Sequence, residues 1–339
     1  MLSFFVFQLT SINTMIPYSD IFLYVHSIMA VLGMFLNGLL IYLALFQTPK
    51  VIRSYALLII NLAVTDFGAC FFDLFVQQRI IPAGRTLAYI SNGFCKYYSP
   101  STCYLGYSLM LHFLSHSLWS LLLSFSYRYY VLLRPAPTRY TLFTIIFLVY
   151  LPSAFQWVSF LWAQDTPSEI ARILHAKFPD YDLDGQTVTG TRDIVCFSGL
   201  FTAFHMTLPI TPVYICILIL RRKIISRLSF DDVTITKNIK DLQAQLLIAI
   251  TYQALLPGLY LFSAGTYAIG QLGIYNHLVL EYITLFPISF ISVLSPISSL
   301  VFVTPYRQFI TRVFCRKHVE QRKTSTNMNV FSQSPSNIA

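Results

Sequence analysis

The stretch Leu121 to Pro137, LLLSFSYRYYVLLRPAP, closes a run of 31 residues, Tyr97 to Tyr127, that holds no charged side chain. The run ends on Arg128, set among Tyr127, Tyr129 and Tyr130. A helix rises 1.5 Å per residue, so roughly 20 apolar residues cross the hydrocarbon core of a bilayer. This run is long enough to cross and to reach both interfaces. An arginine at its foot can snorkel as a cationic anchor within an aromatic belt. It can also be held there for a partner.

Outward from this stretch, uncharged runs recur at 21–49, 140–164, 194–220, 242–280 and 282–306, while 54–78 is interrupted only by Asp66 and Asp73. Only 11% of residues are charged, against about 25% in soluble domains. These runs predict an all-α membrane protein, a seven-helix bundle with spans at 21–46, 55–78, 99–127, 141–163, 195–220, 242–266 and 278–304. Each span is helical, because lipid offers the backbone no hydrogen-bond partner. The segments 47–54, 128–139, 221–240 and the tail after 304 carry 17 Lys and Arg, and the alternate segments carry 6. Positive charge stays cytoplasmic, so residues 1–20 are expected outside and the tail inside. The net charge of +9 then reflects topology, and no nucleic-acid partner is expected. No removable signal peptide is read; the first span acts as the insertion signal. After Pro305, Tyr306, Phe309, Ile310, Val313 and Phe314 follow helical spacing, which predicts an amphipathic interfacial helix over 305–318. Cys315 on it is a candidate for palmitoylation. Residues 319–339, rich in Ser, Asn, Gln and Thr, are expected to be a disordered cytoplasmic tail.

Cys103 lies 25 residues before Arg128, roughly 37 Å along a helix, and so sits at the outer surface. Cys196 begins the fifth span at the same surface. A Cys103–Cys196 disulfide would pin the outer loop between them over the bundle mouth, with Cys95 as the competing partner. Several polar residues fall within spans. Asp66 lies at mid-depth of the second span, where a carboxylate costs on the order of 3 kcal/mol; it needs partners, and Asn37 is one candidate. Asp73 lies two turns further out on the same face. His112 and His116 share a face of the third span, His205 has comparable depth in the fifth, and Glu281 is near the outer end of the seventh. Asp73, His112, His116, His205 and Glu281 are candidate ligand-binding residues of an outer pocket, with Trp119, Trp157 and Tyr260 as walls. Each has a structural alternative.

The segments NLAVTD (Asn61 to Asp66) and FLNGLLIY (containing Asn37), together with the outer cysteine and the Arg-Tyr at the foot of the third span, resemble rhodopsin-like receptors. More specifically, TPKVIRSYALLIINLAVTD, FVQQRIIPAG, YISNGFC, GYSLMLHFLSHSLWSLLLSFSYRYYVLLRPAPTR and TPYRQFI resemble the nematode serpentine receptors of class delta, over roughly residues 20–315. The resemblance implies a chemosensory G-protein-coupled receptor that binds a small-molecule chemical cue and activates a heterotrimeric G protein. It implies a multi-pass protein of the plasma membrane, with sensory cilia as the finer location. It assigns Arg128 and Tyr129 to G-protein coupling and suggests a sodium or proton site at Asn37 and Asp66, beside the plainer reading of Asp66 as a neutral, hydrogen-bonded acid. The chain also departs from the rhodopsin-like pattern. Tyr127 stands where an acid normally precedes the arginine, Leu255 where a sixth-span tryptophan is usual, and no tyrosine follows Ser295-Pro296 by three residues.

Two alternatives come from other classes. One is a receptor-like partner or trafficking subunit that does not itself signal. The other is an intramembrane zinc hydrolase, since imidazoles four residues apart can ligate zinc; it needs a third ligand and a general acid or base at the depth of His112 and His116. No enzyme, cofactor or resident metal is expected. All eight lysines lie outside the spans, which excludes a retinal Schiff base. An odorant-gated channel of the insect type has the opposite orientation.

Overall fold

The computed structural model describes residues 18–49, 53–229, 248 and 251–313. The expected extracellular N-terminus up to 17, most of the basic loop 221–240, the start of the sixth span, Cys315 and the expected disordered tail lie outside the described residues.

The chain is a helical bundle capped at one end by a small sheet. In order it forms α1 (Tyr18–Phe46), α2 (Arg53–Val76), β1 (Gln78–Ala83), β2 (Thr86–Ser91), a 3-10 turn (Phe94–Tyr97), α3 (Pro100–Val131), α4 (Arg139–Leu161), α5 (Pro167–Lys177), β3 (Thr187–Thr191), α6 (Phe197–Thr207), α7 (Ile210–Ser229), α8 (Pro257–Gln271), α9 (Leu278–Ile283) and α10 (Phe286–Phe302). Residues 304–313 form a further helix, where the interfacial one was expected. Six helical segments among the described residues are long and apolar enough to cross a membrane. The sixth predicted span is represented by α8, whose preceding residues are mostly outside the description. The architecture is that of a seven-helix multi-pass membrane protein. On α4 the large apolar side chains point outward, as with Tyr140 at 86% and Phe147 at 61% exposure, because lipid solvates them as well as a core would.

Helix ends follow local chemistry. Ser99 caps α3 by accepting from the Thr102 N–H at 3.1 Å, with Pro100 in the first turn. Thr138 caps α4 in the same way. Prolines divide the later spans: Pro209 stands between α6 and α7, Pro257 opens α8, and Pro287 opens α10 after the break from α9. At each of these the missing N–H costs little, because it falls in a first turn or a break.

The sheet was not expected from the sequence. Its order is β1-β2-β3, all antiparallel. Ala83 pairs with Thr86 across a two-residue turn whose first position, Gly84, has φ +74, a conformation that favours glycine. Strand alternation gives the sheet two buried faces. Ile81, Ala88, Ile90 and Val188 pack against Ile170 and Leu174, four apart on α5. Ile80, Leu87, Tyr89 and Thr191 face the helices. The result is a layered roof, α5 over sheet over bundle.

One predicted disulfide is corrected. Cys103 bridges to Cys95, with Cα atoms 5.0 Å apart, and Cys196 is free. The 3-10 turn carries Cys95 back onto the head of α3, within disulfide reach. Cys196 instead caps α6, its sulfur accepting from the Gly199 N–H at 3.4 Å.

Candidate functional site

Beneath the sheet lies a cavity of about 110 Å³. Its roof includes Ile80, Leu87, Tyr89 and Thr191; its sides include residues of α3 (Tyr107, Leu111), α6 (Thr202, Ala203, Met206) and α8 (Tyr260, Ser263, Ala264, Tyr267), and Leu285 and Ile288 also line it. Among the described residues no Asp, Glu, Lys, Arg or His is in the wall. Several of its polar groups are already engaged. Tyr260 donates to the Leu114 carbonyl at 3.0 Å, Ser263 donates to the Thr284 carbonyl, and Thr191 pairs with the Tyr104 hydroxyl at 3.3 Å. The Thr202 hydroxyl is buried with no hydrogen-bond partner among the described residues.

Of the residues expected in this pocket, only Tyr260 lines it. His112 and His116 point toward α4, their rings 4.6 and 4.8 Å from that of Tyr150, and Trp157 lies beside His112 at 6.1 Å. His116 also meets the Asn61 side-chain oxygen at 3.3 Å. Among the described residues no third His, Cys, Asp or Glu joins them as a metal-ligand group. His205 stacks on Phe201 at 5.7 Å. Asp73 accepts from Ser289 at 2.9 Å and stands 3.2 Å from His26 of α1, a histidine that sequence reasoning did not single out. A void of about 10 Å³ adjoins Asp73, Ser289 and Ser292, about the room one water needs.

Glu281 is spoken for. Arg79 of β1 donates to its Oε2 at 2.6 Å and Tyr181 to its Oε1 at 2.7 Å. The Arg79 guanidinium also lies 4.9 Å over Tyr181 and 5.6 Å over Tyr282. This cluster ties the seventh span to the hairpin and to the segment before β3. Arg79 and Tyr181 sit on connecting segments, which is why a reading of spans passed over them. Burial, followed by the bond to Glu281, pushes the Tyr181 hydroxyl up to about 12, so it stays a donor at neutral pH.

Deeper in the bundle, Asp66 accepts from Ser117 at 2.7 Å. Asn37 donates to the carbonyls of Gly33 and Ser292 at 2.9 and 2.8 Å, linking α1 to α10 instead of meeting Asp66. At the far end from the sheet, Arg128 is only 3% exposed. Its guanidinium sits 4.4 Å over the Tyr55 ring, and Tyr55 in turn stacks on Tyr127 at 6.0 Å. Arg128 Nε and Nη2 have no hydrogen-bond partner among the described residues. Lys223 lies 5.6 Å over Tyr129. The arginine is therefore inserted among aromatic rings, where a snorkelling anchor would extend to water.

Cavity and arginine share one continuous helix. Tyr107 and Leu111 of α3 line the cavity, and Arg128 is five to six turns along the same helix.

The sequence profile described as "Serpentine type 7TM GPCR chemoreceptor Srd" matches residues 22–312. Two Caenorhabditis elegans proteins are similar over most of their length. Serpentine receptor class delta-18 is 40% identical over 319 residues, 91% of this chain and 94% of the relative. Serpentine receptor class delta-19 is 42% identical over 290 residues, 84% and 85% respectively. Among solved structures, squid rhodopsin superposes with a TM-score of 0.59, covering 89% of this chain and 83% of its own at 15% identity. That likeness concerns the fold.

Proposed function

We propose, from the premise that this chain belongs to the class delta family of serpentine seven-transmembrane chemoreceptors, that the cavity under the sheet binds a small chemical cue and that Arg128 couples its occupancy to a heterotrimeric G protein. In this reading the sheet end faces the medium, the Arg128 end faces the cytosol, and the protein acts at the plasma membrane, with sensory cilia as its site in the cell. The helix beginning at residue 304 lies along the inner leaflet, and Cys315 beyond it is an acylation site.

The observation that carries the reading is the buried arginine with two donors that meet no acceptor among the described residues, on the same helix that walls the cavity. A buried donor without an acceptor costs about 1–3 kcal/mol. A state in which the arginine end opens and a partner supplies carbonyl or carboxylate oxygens removes that cost. A ligand shifts the population toward that state by binding it more tightly. Asp73, His26 and Asp66 shape the interior between α1, α2, α3 and α10; Glu281 holds the roof. The cue itself meets the cavity wall.

The test is expression with a G-protein reporter, challenged with volatile and secreted small molecules. Ala203→Phe, which fills the cavity, is expected to abolish the response at unchanged surface expression. A response that survives the filled cavity would place the ligand elsewhere.

A further inference from the structure

We infer that the cavity is filled from the bilayer, by a compact uncharged lipophile carrying one oxygen function, which enters between α6 and α8 beneath the sheet. This rests on the cavity being a ligand site and adds the chemical class and the route.

The sheet screens the cavity on the side away from Arg128. Ile80, Leu87, Tyr89 and Thr191 of the roof are each under 7% exposed, and α5 covers the sheet from above. The roof is also fastened on more than one side. Arg79 and Tyr181 hold Glu281 of α9, Gln271 of α8 donates to the Gly84 carbonyl in the hairpin turn, and Arg85 pairs with Asp193 at 2.7 Å.

The side facing lipid is different. α6 packs mainly on α3 and α4, whereas α8 packs mainly on α7, α9, α10 and β1, and the described residues show no extensive contact between α6 and α8. Ala203 and Met206 on one side and Ala264 and Tyr267 on the other line the cavity and are only half-buried. Beside them on α8, a Cβ placed at Gly258 or Gly265 would meet nothing within 4 Å. The two alanines and the outward-facing glycines leave little bulk along this seam, and Met206 is flexible enough to yield.

Chemistry selects the ligand. A wall without charged groups offers nothing to offset desolvation of an ion, and a molecule that travels through hydrocarbon is uncharged as well. A volume of about 110 Å³ is near that of engineered cavities of about 150 Å³ that take up benzene. The unengaged Thr202 hydroxyl can donate to one carbonyl, ester or hydroxyl oxygen, so a short ketone, ester or alcohol fits.

The experiment uses the full chain in lipid nanodiscs without G protein, so its outcome is independent of coupling. The probes are a short alkyl ketone bearing a diazirine and the carboxylate analogue of the same length, followed by photolysis and mapping of adducts. The ketone is expected to label Tyr107, Leu111 or Tyr260, all buried, and the carboxylate is not. Met206→Trp and Ala264→Trp should lower cavity labelling at least ten-fold at short exposure and let it recover at long exposure, which a merely filled cavity would not, while lipid-facing Phe204 and Phe262 keep theirs, which controls for folding and partitioning. Ala268→Trp, exposed on α8 and outside the cavity wall, should change nothing. Cavity labelling by the carboxylate, or labelling indifferent to the two seam substitutions, would overturn the route. Labelling confined to lipid-facing positions would overturn the ligand class.

Discussion

Arg79→Ala removes the cation that fastens the hairpin to the seventh span, and its cost can be worked from the geometry. Glu281 is 4% exposed and its Oε2 accepts from Arg79 at 2.6 Å. Removing one member of a buried pair leaves the other charge uncompensated, which costs about 3–5 kcal/mol. Tyr181 still donates to Oε1 but supplies no charge. Two cation–π contacts go as well, about 0.5–1 kcal/mol each; they are not additive with the ion pair, because the same guanidinium makes all three. The lower figure alone corresponds to roughly a 150-fold increase in opening, the upper to roughly 5,000-fold. Hydrogen exchange of the amides of β1 and β2 reads this opening directly, up to the limit set by global unfolding. The double variant Arg79→Leu, Glu281→Leu removes both charges and should exchange far more slowly than Arg79→Ala, since apolar replacement of a whole buried pair is often neutral or stabilising. Exchange of the hairpin in Arg79→Ala at the wild-type rate would show that the ion pair does not hold it, as would a double variant worse than the single.

Three other outcomes follow from specific contacts. Cys95→Ala and Cys103→Ala should lower stability equally, by roughly 2–3 kcal/mol from loop-closure entropy, and Cys196→Ala should have little effect; non-reducing peptide mapping that links Cys196 to either partner would contradict the Cys95–Cys103 bridge. Asn37→Ala breaks two buried bonds, one of them joining α1 to α10, and should cost about 1–3 kcal/mol, measured as a loss of thermal stability in detergent that Asn37→Asp does not restore. Because the Tyr181 hydroxyl is raised to about 12 by burial from about 10 in an unfolded chain, its contribution is fully present below about pH 10 and declines as pH rises toward 12. Opening of the hairpin, after correction for intrinsic exchange, should therefore be flat from pH 6 to 9 and increase above about 10, and Tyr181→Phe should remove that rise.

The spans were legible because lipid imposes one simple requirement: long runs without charge, helical throughout. The same feature hid the roof. QRIIPAGRTLAYIS, with a proline, a glycine and two arginines between spans, reads as a loop, although Gly84-Arg85 flanked by Ile80-Ile81 and Leu87-Ala88-Tyr89-Ile90 carries a two-residue hairpin signal. Once the hairpin is missed, Arg79 is a topogenic charge and Glu281 an unclaimed carboxylate, free to be assigned to a ligand. The cavity was equally hidden, because its described wall is mostly apolar and carries no charge, whereas polar residues within spans stand out in a sequence. Asp66, Asp73 and His116 meet Ser117, Ser289, His26 and Asn61 across the helices, and the His112 ring packs edge-on against Tyr150, which is how a membrane interior usually accommodates polar groups. The disulfide turned on a reversal of eight residues, Cys95 to Cys103, that charge-free runs do not encode. Arg128 stood out from the start; that it lies beneath Tyr55 instead of reaching for water became visible only in three dimensions.

In the proposed function, cavity and arginine are two ends of one switch. Its most direct measurement is ligand-stimulated nucleotide exchange on a purified G protein, comparing the receptor with Arg128→Ala at matched amounts in nanodiscs. The variant should retain photolabelling of the cavity by the uncharged probe and lose exchange by at least ten-fold. Full exchange activity without the arginine would contradict the claim.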